Sequence, residues 1–337
     1  MKENTILVTF ILFLTVLSAC DRSGTDIEMQ PIRFDVADTK ALVTDVSEIK
    51  SYGSEMRVRG VYDGQSSDLV ILFDNETITS NGSSWSYSPT RYWMPGKTMR
   101  FASLWPAGCG CTIDGDLNSR IEMSAFTQDV NASEQTDLLF ANPVSASSGS
   151  VSFHFRHLLC NIRFEVAMNA PGKTITVSKV VVEDVHASGS LAMTSTDGST
   201  WSDAWDLSSA VSDLTSGTIT PAIVLEQYND GGVYKTIPSD GFIVLPQRVN
   251  ETSSTMRFTV SVRIEDNVSH ERETKDISAT LPQYRSIGGE LLAGGEWLAG
   301  KVIIYRLVVD ENSNIIFGKP EVTPWGATQT SGAIVIK

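Results

Sequence analysis

Val151-Ser-Phe-His-Phe-Arg-His157, running on into Leu158-Leu-Cys-Asn-Ile-Arg-Phe-Glu-Val166, is the stretch that decides the fold. Its first half puts Val151, Phe153 and Phe155 on one face and Ser152, His154 and Arg156 on the other. The second half alternates in the opposite phase, with Cys160, Ile162, Phe164 and Val166 apolar and Asn161, Arg163 and Glu165 polar. A period of two is that of a strand with one buried face. The change of phase at residues 157–159 calls for a bulge or bend, because an unbroken register would turn the second apolar set into water. The expectation is a long antiparallel strand that bends at mid-length, as strands do at the corner of a β-sandwich.

The same rhythm extends in both directions. Upstream, the alternating segments Glu55-Met-Arg-Val-Arg-Gly-Val-Tyr62 and Asp68-Leu-Val-Ile-Leu-Phe73 precede an Asn81-Gly82 hairpin turn signal flanked by Glu76-Thr-Ile-Thr79 and Ser84-Trp-Ser-Tyr87. Tyr92-Trp93, a Pro95-Gly96 turn and Thr98-Met-Arg-Phe-Ala-Ser-Leu-Trp105 continue it. Downstream, Thr255-Met-Arg-Phe-Thr-Val-Ser-Val-Arg-Ile264 alternates cleanly, and Lys301-Val-Ile-Ile-Tyr-Arg-Leu-Val-Val309 is apolar on both faces, as a central strand would be. Short strands at this spacing, punctuated by Gly, Pro and Asn, predict an all-β sandwich protein. The only helical expectation after the N-terminus is one short helix within residues 122–135. The turn Asn169-Ala-Pro-Gly172 is read as the division between an N-terminal sandwich (41–170) and a C-terminal one (171–337).

With a net charge of −14, the chain has no electrostatic footprint for nucleic acid and none for adsorption to anionic lipid. It has four histidines, none in a zinc-ligand spacing, and no HExxH, GxSxG or P-loop pattern. His154 and His157, on different faces of the bend, read as structural, a partly buried histidine bonding a backbone carbonyl. Asp114-Gly-Asp-Leu-Asn118 begins like a calcium loop, but Ser119 replaces the sharp-turn glycine and Ala125 the closing glutamate, so it reads as an acidic turn. Cys160 reads as a small core residue. Cys109 and Cys111 are too close in sequence for easy disulfide geometry and lack a second pair as metal ligands. Trp93, Trp105, Phe153 and Phe155 are expected in the core. Exposure of Trp85, Trp93 and Trp105 on one face would instead make a sugar-stacking platform. No catalytic residue, metal or cofactor is predicted, and no enzyme.

The N-terminus carries an apolar run from Thr5 to Leu17, too short to span a bilayer, then Leu17-Ser-Ala-Cys20. This predicts a lipoprotein signal peptide over residues 1–19, lipidation of Cys20, and a polar tether. Acyl chains contribute about 0.8 kcal/mol per buried methylene, so two or three hold a protein on a membrane. Past the tether, Ile32, Phe34 and Val36 share one face of a short first strand.

Taken together, these segments resemble the fimbrillin-like proteins of Bacteroidota, the subunits of type V pili. The carriers are Leu17-Ser-Ala-Cys20, Trp85-Ser-Tyr87 with Tyr92-Trp93, and Phe101 to Trp105-Pro106. They continue with Asp137-Leu-Leu-Phe-Ala141 before Val151–His157, then Leu245-Pro-Gln247, Gly295-Glu-Trp297, Gly300-Lys301 to Tyr305, and Val322 to Trp325. The resemblance implies two tandem transthyretin-like Greek-key sandwiches, exported as an outer-membrane lipoprotein. The implied function is a structural or adhesive fimbrial subunit whose partners are other fimbrial subunits, the outer membrane through its lipid, and a host or bacterial surface receptor. It also implies that a protease removes residues 20–40, with Ile32, Phe34 and Val36 as the removable strand, and that a neighbour's strand fills the groove. Lys40 stands where the family has arginine, so processing at Lys40, at Arg33, Arg57 or Arg59, or an uncleaved anchor or accessory role all remain open. The donor strand implied is Ile334, Val335 and Ile336. The alternative is a non-polymerising surface lipoprotein that binds glycan through exposed aromatics.

Overall fold

The computed structural model describes residues 29–36, 54–65, 67–228, 233–250, 255–282 and 295–325. Among them the regular structure is strand, apart from two 3-10 turns at Ala107–Cys109 and Ala132–Glu134. The helix expected within residues 122–135 does not form. Arg120–Thr127 is a strand whose Ile121, Met123 and Phe126 are buried, so the apolar spacing there serves a sheet face.

In chain order the first strands are β1 (Arg33–Val36), β2 (Glu55–Asp63), β3 (Leu69–Ser80), β4 (Trp85–Ser86) and β5 (Met99–Trp105). Then come β6 (Ile113–Gly115), β7 (Arg120–Thr127), β8 (Leu139–Ala146), β9 (Ser150–Phe153) and β10 (Phe155–His157). A six-stranded antiparallel sheet, β10-β8-β5-β2-β3-β4, forms the middle layer of this half. The two-stranded sheet β1-β9 covers one of its faces. Strand β5 shows why the sheet is central. Met99, Phe101 and Trp105 point into the core beneath β1 and β9, while Ala102 and Leu104 belong to the core on the opposite face. The Asn81-Gly82 turn joins β3 to β4 as predicted, with Gly82 at φ 89° and the Asn81 side chain accepting from Ser83 and Ser84 N–H, both at 2.9 Å.

The chain continues with β11 (Cys160–Asn169), β12 (Lys173–Val185), β13 (Ser188–Thr194), β14 (Ser202–Leu207), β15 (Ser212–Thr215), β16 (Ile223–Val224) and β17 (Lys235–Thr236). It ends with β18 (Phe242–Val244), β19 (Gln247–Arg248), β20 (Arg257–Asp266), β21 (Arg272–Thr280), β22 (Glu296–Trp297), β23 (Lys301–Asp310), β24 (Ile315–Phe317) and β25 (Glu321–Pro324). One sheet is β17-β11-β23-β24, with β18 beside β11 and β25 beside β23; it faces β15-β12-β20-β21 across a core of Phe164, Phe258, Tyr305 and aliphatic neighbours. β20 buries Phe258, Val260, Val262 and Ile264, and β23 is buried on both faces, as their sequences require. A four-stranded sheet, β14-β13-β7-β6, packs on the outer face of the six-stranded one. Its core continues to Leu158, Leu159, Val302 and Ile304, so it joins the two halves.

The bend at residues 157–159 is present, but the strands either side of it have different partners. β9 runs parallel to β1, β10 antiparallel to β8, and β11 parallel to β23. The single antiparallel strand expected is thus three strands in three sheets. Alternation reports which face is buried and carries no information on the direction of a neighbour. His157 also departs from expectation. It is 2% exposed, and its Nδ1 meets the Asp137 carboxylate at 2.5 Å instead of a backbone carbonyl. Its ring stacks on Trp325 at 4.3 Å.

Candidate functional site: the slot of the first strand

β1 is held as a guest between two segments that are far from it in sequence. On one side it pairs with β9 in the register Arg33↔Ser150, Phe34↔Val151, Asp35↔Ser152, Val36↔Phe153. On the other, its approach is stitched to residues 91–93: Ile32 N–H donates to Arg91 O at 2.9 Å and Trp93 N–H to Gln30 O at 3.0 Å. The Tyr87 hydroxyl closes this side by donating to Ile32 O at 2.7 Å. Burial pushes the Tyr87 pKa above its ordinary value, so the hydroxyl keeps its proton and remains a donor.

Ile32 and Phe34 point down into the slot and Val36 is half-buried, while Arg33 and Asp35 face out. Phe34 sits among four rings, 5.2 Å from Phe73, 5.7 Å from Tyr87 and Phe101, and 5.7 Å from Phe153, with which it stacks. Burial of a large apolar side chain stabilises by roughly 1.5–3 kcal/mol, so Ile32 and Phe34 together contribute about 3–6 kcal/mol before backbone pairing is counted. That is a substantial docking energy for one short strand.

Gly60 and Tyr87 belong to this site and escaped the sequence reading. A Cβ on Gly60 would lie 2.8 Å from Phe101 and 2.9 Å from Phe73, so the absent side chain lets both rings lie flat on β2 and leaves depth for Phe34. The signal was a glycine inside an otherwise alternating strand.

The other predicted residues are scattered. Arg33 is exposed at the start of β1. Arg57 and Arg59 lie in β2, paired on both sides by β3 and β5. Arg57 Nε donates to Ala107 O at 2.8 Å. Arg59 is buried and holds Asp74 at 3.0 Å and Asp114 at 2.7 Å. Cys20, Lys40, Ile334, Val335 and Ile336 lie outside the described residues. β25 is antiparallel to β23, and Trp325 is buried against His157, so the segment from Val322 to Trp325 is engaged within its own chain.

Trp93 and Trp105 are buried, and Trp85 packs edge-on against Trp105 at 5.3 Å, so these three form no platform. Phe153 and Phe155 are core, as is Cys160. The acidic turn at 114–118 is closed by its own bonds: Asp116 accepts from Asn118 and Ser119 N–H at 2.8 Å each and from Ser119 Oγ at 2.6 Å. Among the described residues no group of three or more His, Cys, Asp or Glu is placed to hold a metal ion. The His157–Asp137 pair is sealed from solvent and offers no approach to a substrate.

The described residues thus form an all-β protein of stacked sheets whose first strand lies in an apolar slot. The chain belongs to the fimbrillin-like family, whose sequence profile matches residues 58–325. A fimbrial protein from Bacteroides vulgatus has a similar fold, with a TM-score of 0.60 and 16% identity over 88% of this chain and 99% of that one. The fimbrial anchor protein Mfa2 from Porphyromonas gingivalis is also matched, at a TM-score of 0.32 and 9% identity over 88% of this chain and 98% of its own. A search of curated proteins finds no match. No helix among the described residues is long and apolar enough to cross a membrane.

Proposed function

We infer that this protein is a structural or adhesive subunit of a type V fimbria, anchored as an outer-membrane lipoprotein through Cys20 before assembly. Its two halves are the tandem transthyretin-like sandwiches of the family, meeting at residues 157–160 where sheet membership changes, ahead of the Asn169-Ala-Pro-Gly172 turn. The precursor keeps β1 as a placeholder. A protease cuts after it, the strand leaves, and a strand from a neighbouring subunit enters the slot. The observation that carries this reading is β1 itself, with an apolar face lodged among rings and pairing to a single strand.

Of the four candidate cleavage points, Arg57 and Arg59 are in a doubly paired strand and a cut after Arg33 would divide the segment that must leave, so our reading keeps Lys40. The donor is the terminal segment with Ile334, Val335 and Ile336. Two or three aliphatic anchors give only a few kcal/mol against an association cost of about 4–15 kcal/mol, so backbone pairing must supply the remainder.

The test is an SDS gel of unheated surface extracts from cells expressing the full chain, with and without deletion of residues 331–337. A high-mass ladder that collapses on boiling and disappears with the deletion, while the shortened protein stays folded, is the expected result. A folded deletion variant that still polymerises would remove the donor assignment.

A further inference from the structure

Cys109 and Cys111 sit on the side of the molecule away from the β1 slot, on the turn that follows β5, and the fimbrial reading gives them no task. Gly110 between them has φ 77°, in the left-handed region that glycine enters freely. The chain therefore doubles back, and the Cys111 N–H donates to Cys109 Sγ at 3.4 Å. The Cys111 thiol lies on the same tight turn, donating to Cys109 O at 3.7 Å and to Ala125 O at 3.9 Å, a closeness to Cys109 that the spacing alone did not suggest. Cys111 is fully buried, whereas Cys109 is half-buried and opens into a cleft of about 270 Å³. The cleft is walled by Phe126, Gln128, Asp129, Glu134 and Thr136. All three cysteines outside the signal region are free thiols.

We propose that Cys109 and Cys111 form a thiol–disulfide exchange site, in which Cys109 attacks a small cationic disulfide and Cys111 resolves the mixed disulfide. In the first step the Cys109 thiolate bonds to one sulfur of the disulfide, the S–S bond breaks, and the other half leaves as a thiolate that takes a proton. In the second, Cys111 gives up its proton to solvent and attacks the Cys109 sulfur, expelling the remaining half. The two protein thiols are oxidised by two electrons, and the small disulfide is reduced to two thiols.

The roles follow from the surroundings. The Cys111 thiol, its backbone N–H and the nearby Arg57 guanidinium favour a Cys109 thiolate, against burial, and bring its pKa down to about 7. Cys111 faces the opposite pressure: its neighbouring thiolate and its burial hold the proton on. One sulfur is therefore a nucleophile near neutrality, with the Cys111 N–H donating to it, and the other keeps its proton, which is the division an attacking and a resolving cysteine need. Asp129 and Glu134, facing the same cleft, select a positively charged reagent, and the net charge of −14 acts in the same sense. Cys160 lies in the core, where burial raises its thiol above the ordinary range, and it takes no part.

The test treats the full chain, reduced and then freed of reductant, with cystamine or with oxidised glutathione, and locates the product by peptide mapping. The expected wild-type product is a Cys109–Cys111 disulfide, formed faster with cystamine. Cys111→Ala should instead accumulate a stable cysteamine adduct on Cys109. Its alkylation rate should also show a midpoint moved up from about 7 towards the ordinary thiol value near 8.5. Cys111→Ser, which keeps a hydrogen-bond donor, should restore part of that shift. Mapping on unmodified wild-type protein makes the result independent of how well any variant folds. A wild-type chain that keeps both thiols reduced in excess cystamine overturns the proposal. So does an adduct found on Cys160 in place of Cys109, or a faster reaction with the anionic disulfide.

Discussion

Replacing Phe34 with alanine tests whether β1 is held by its apolar face. Phe34 is 5% exposed and has four ring neighbours within 5.7 Å. Truncation of a buried Phe costs about 3–5 kcal/mol, including the cavity left among rings that cannot all close in. Because β1 is four residues long and its only strand partner is β9, the loss should fall on local opening of β1 more than on the sheets beneath it. At about 1.4 kcal/mol for each factor of ten, 3–5 kcal/mol corresponds to roughly 10²- to 4 × 10³-fold faster hydrogen exchange in the amides that β1 protects. The assay is native-state exchange of Ser150 to Phe153 in the full chain, with β11 and β20 as internal controls that should be unaffected. Asp35→Ala, on the outward face, should stay within about 0.5 kcal/mol of wild type. An acceleration below tenfold in Phe34→Ala would mean that the aromatic pocket does not hold the strand.

Gly60→Val should destabilise the N-terminal half by about 1–3 kcal/mol in urea titration through overpacking, because Phe101 and Phe73 already occupy the space of a side chain; an unchanged midpoint would contradict the role given to Gly60. Limited digestion of the native chain with an arginine-specific protease should spare Arg57 and Arg59 for as long as the fold is intact, and early cleavage at Arg59 would refute the burial argument. Although burial pushes the Asp116 carboxyl up, the Ser119 hydroxyl and the N–H groups of Arg120, Asn118 and Ser119 outweigh it and hold the pKa well below the carboxylate range. A depressed pKa contributes stability above the unfolded value near 3.9 that is lost as pH falls through the folded one. Asp116→Asn should thus be less stable at pH 7 and show a shallower loss between pH 4 and 2, and an identical acid profile would count against it. Cys20→Ala should abolish incorporation of labelled palmitate, and a variant that still takes up label would place the anchor elsewhere.

Much of the fold was legible because burial on one face writes itself into a period of two. The bend at residues 157–159, the core status of Phe153 and Phe155, and the doubly apolar β23 were all readable in this way. Pairing was not. Nothing in the alternation of β11 says that its neighbour is β23 and runs parallel to it, or that β13 joins β7 from the far side of the Asn169-Ala-Pro-Gly172 turn. Those choices are made by long-range packing, through Leu191 and Met193 against Ile121 and Met123. At the site, the anchors Ile32 and Phe34 were visible, but the floor that receives them depends on Gly60 and Tyr87, whose effect lies in what stands opposite. His157 was misjudged for the same reason, since its carboxylate partner Asp137 is on a different strand connection.

The parallel pairing of β11 with β23 sets the order in which this chain is able to finish folding. Glu165 and Arg306, joined at 2.7 Å across that pair, are separated by 141 residues. As the polypeptide is made from its N-terminus, β10 has its partner β8 at once; β11 gains β17 and β18 on one edge later, and its other edge must wait for β23. Until then the apolar ribbon Ile162, Phe164 and Val166 has an open edge that any extended chain is able to pair with. Contacts of such separation form slowly, because loop closure precedes any gain. The nascent protein therefore passes through an aggregation-prone interval that ends only when the segment from Lys301 onward arrives.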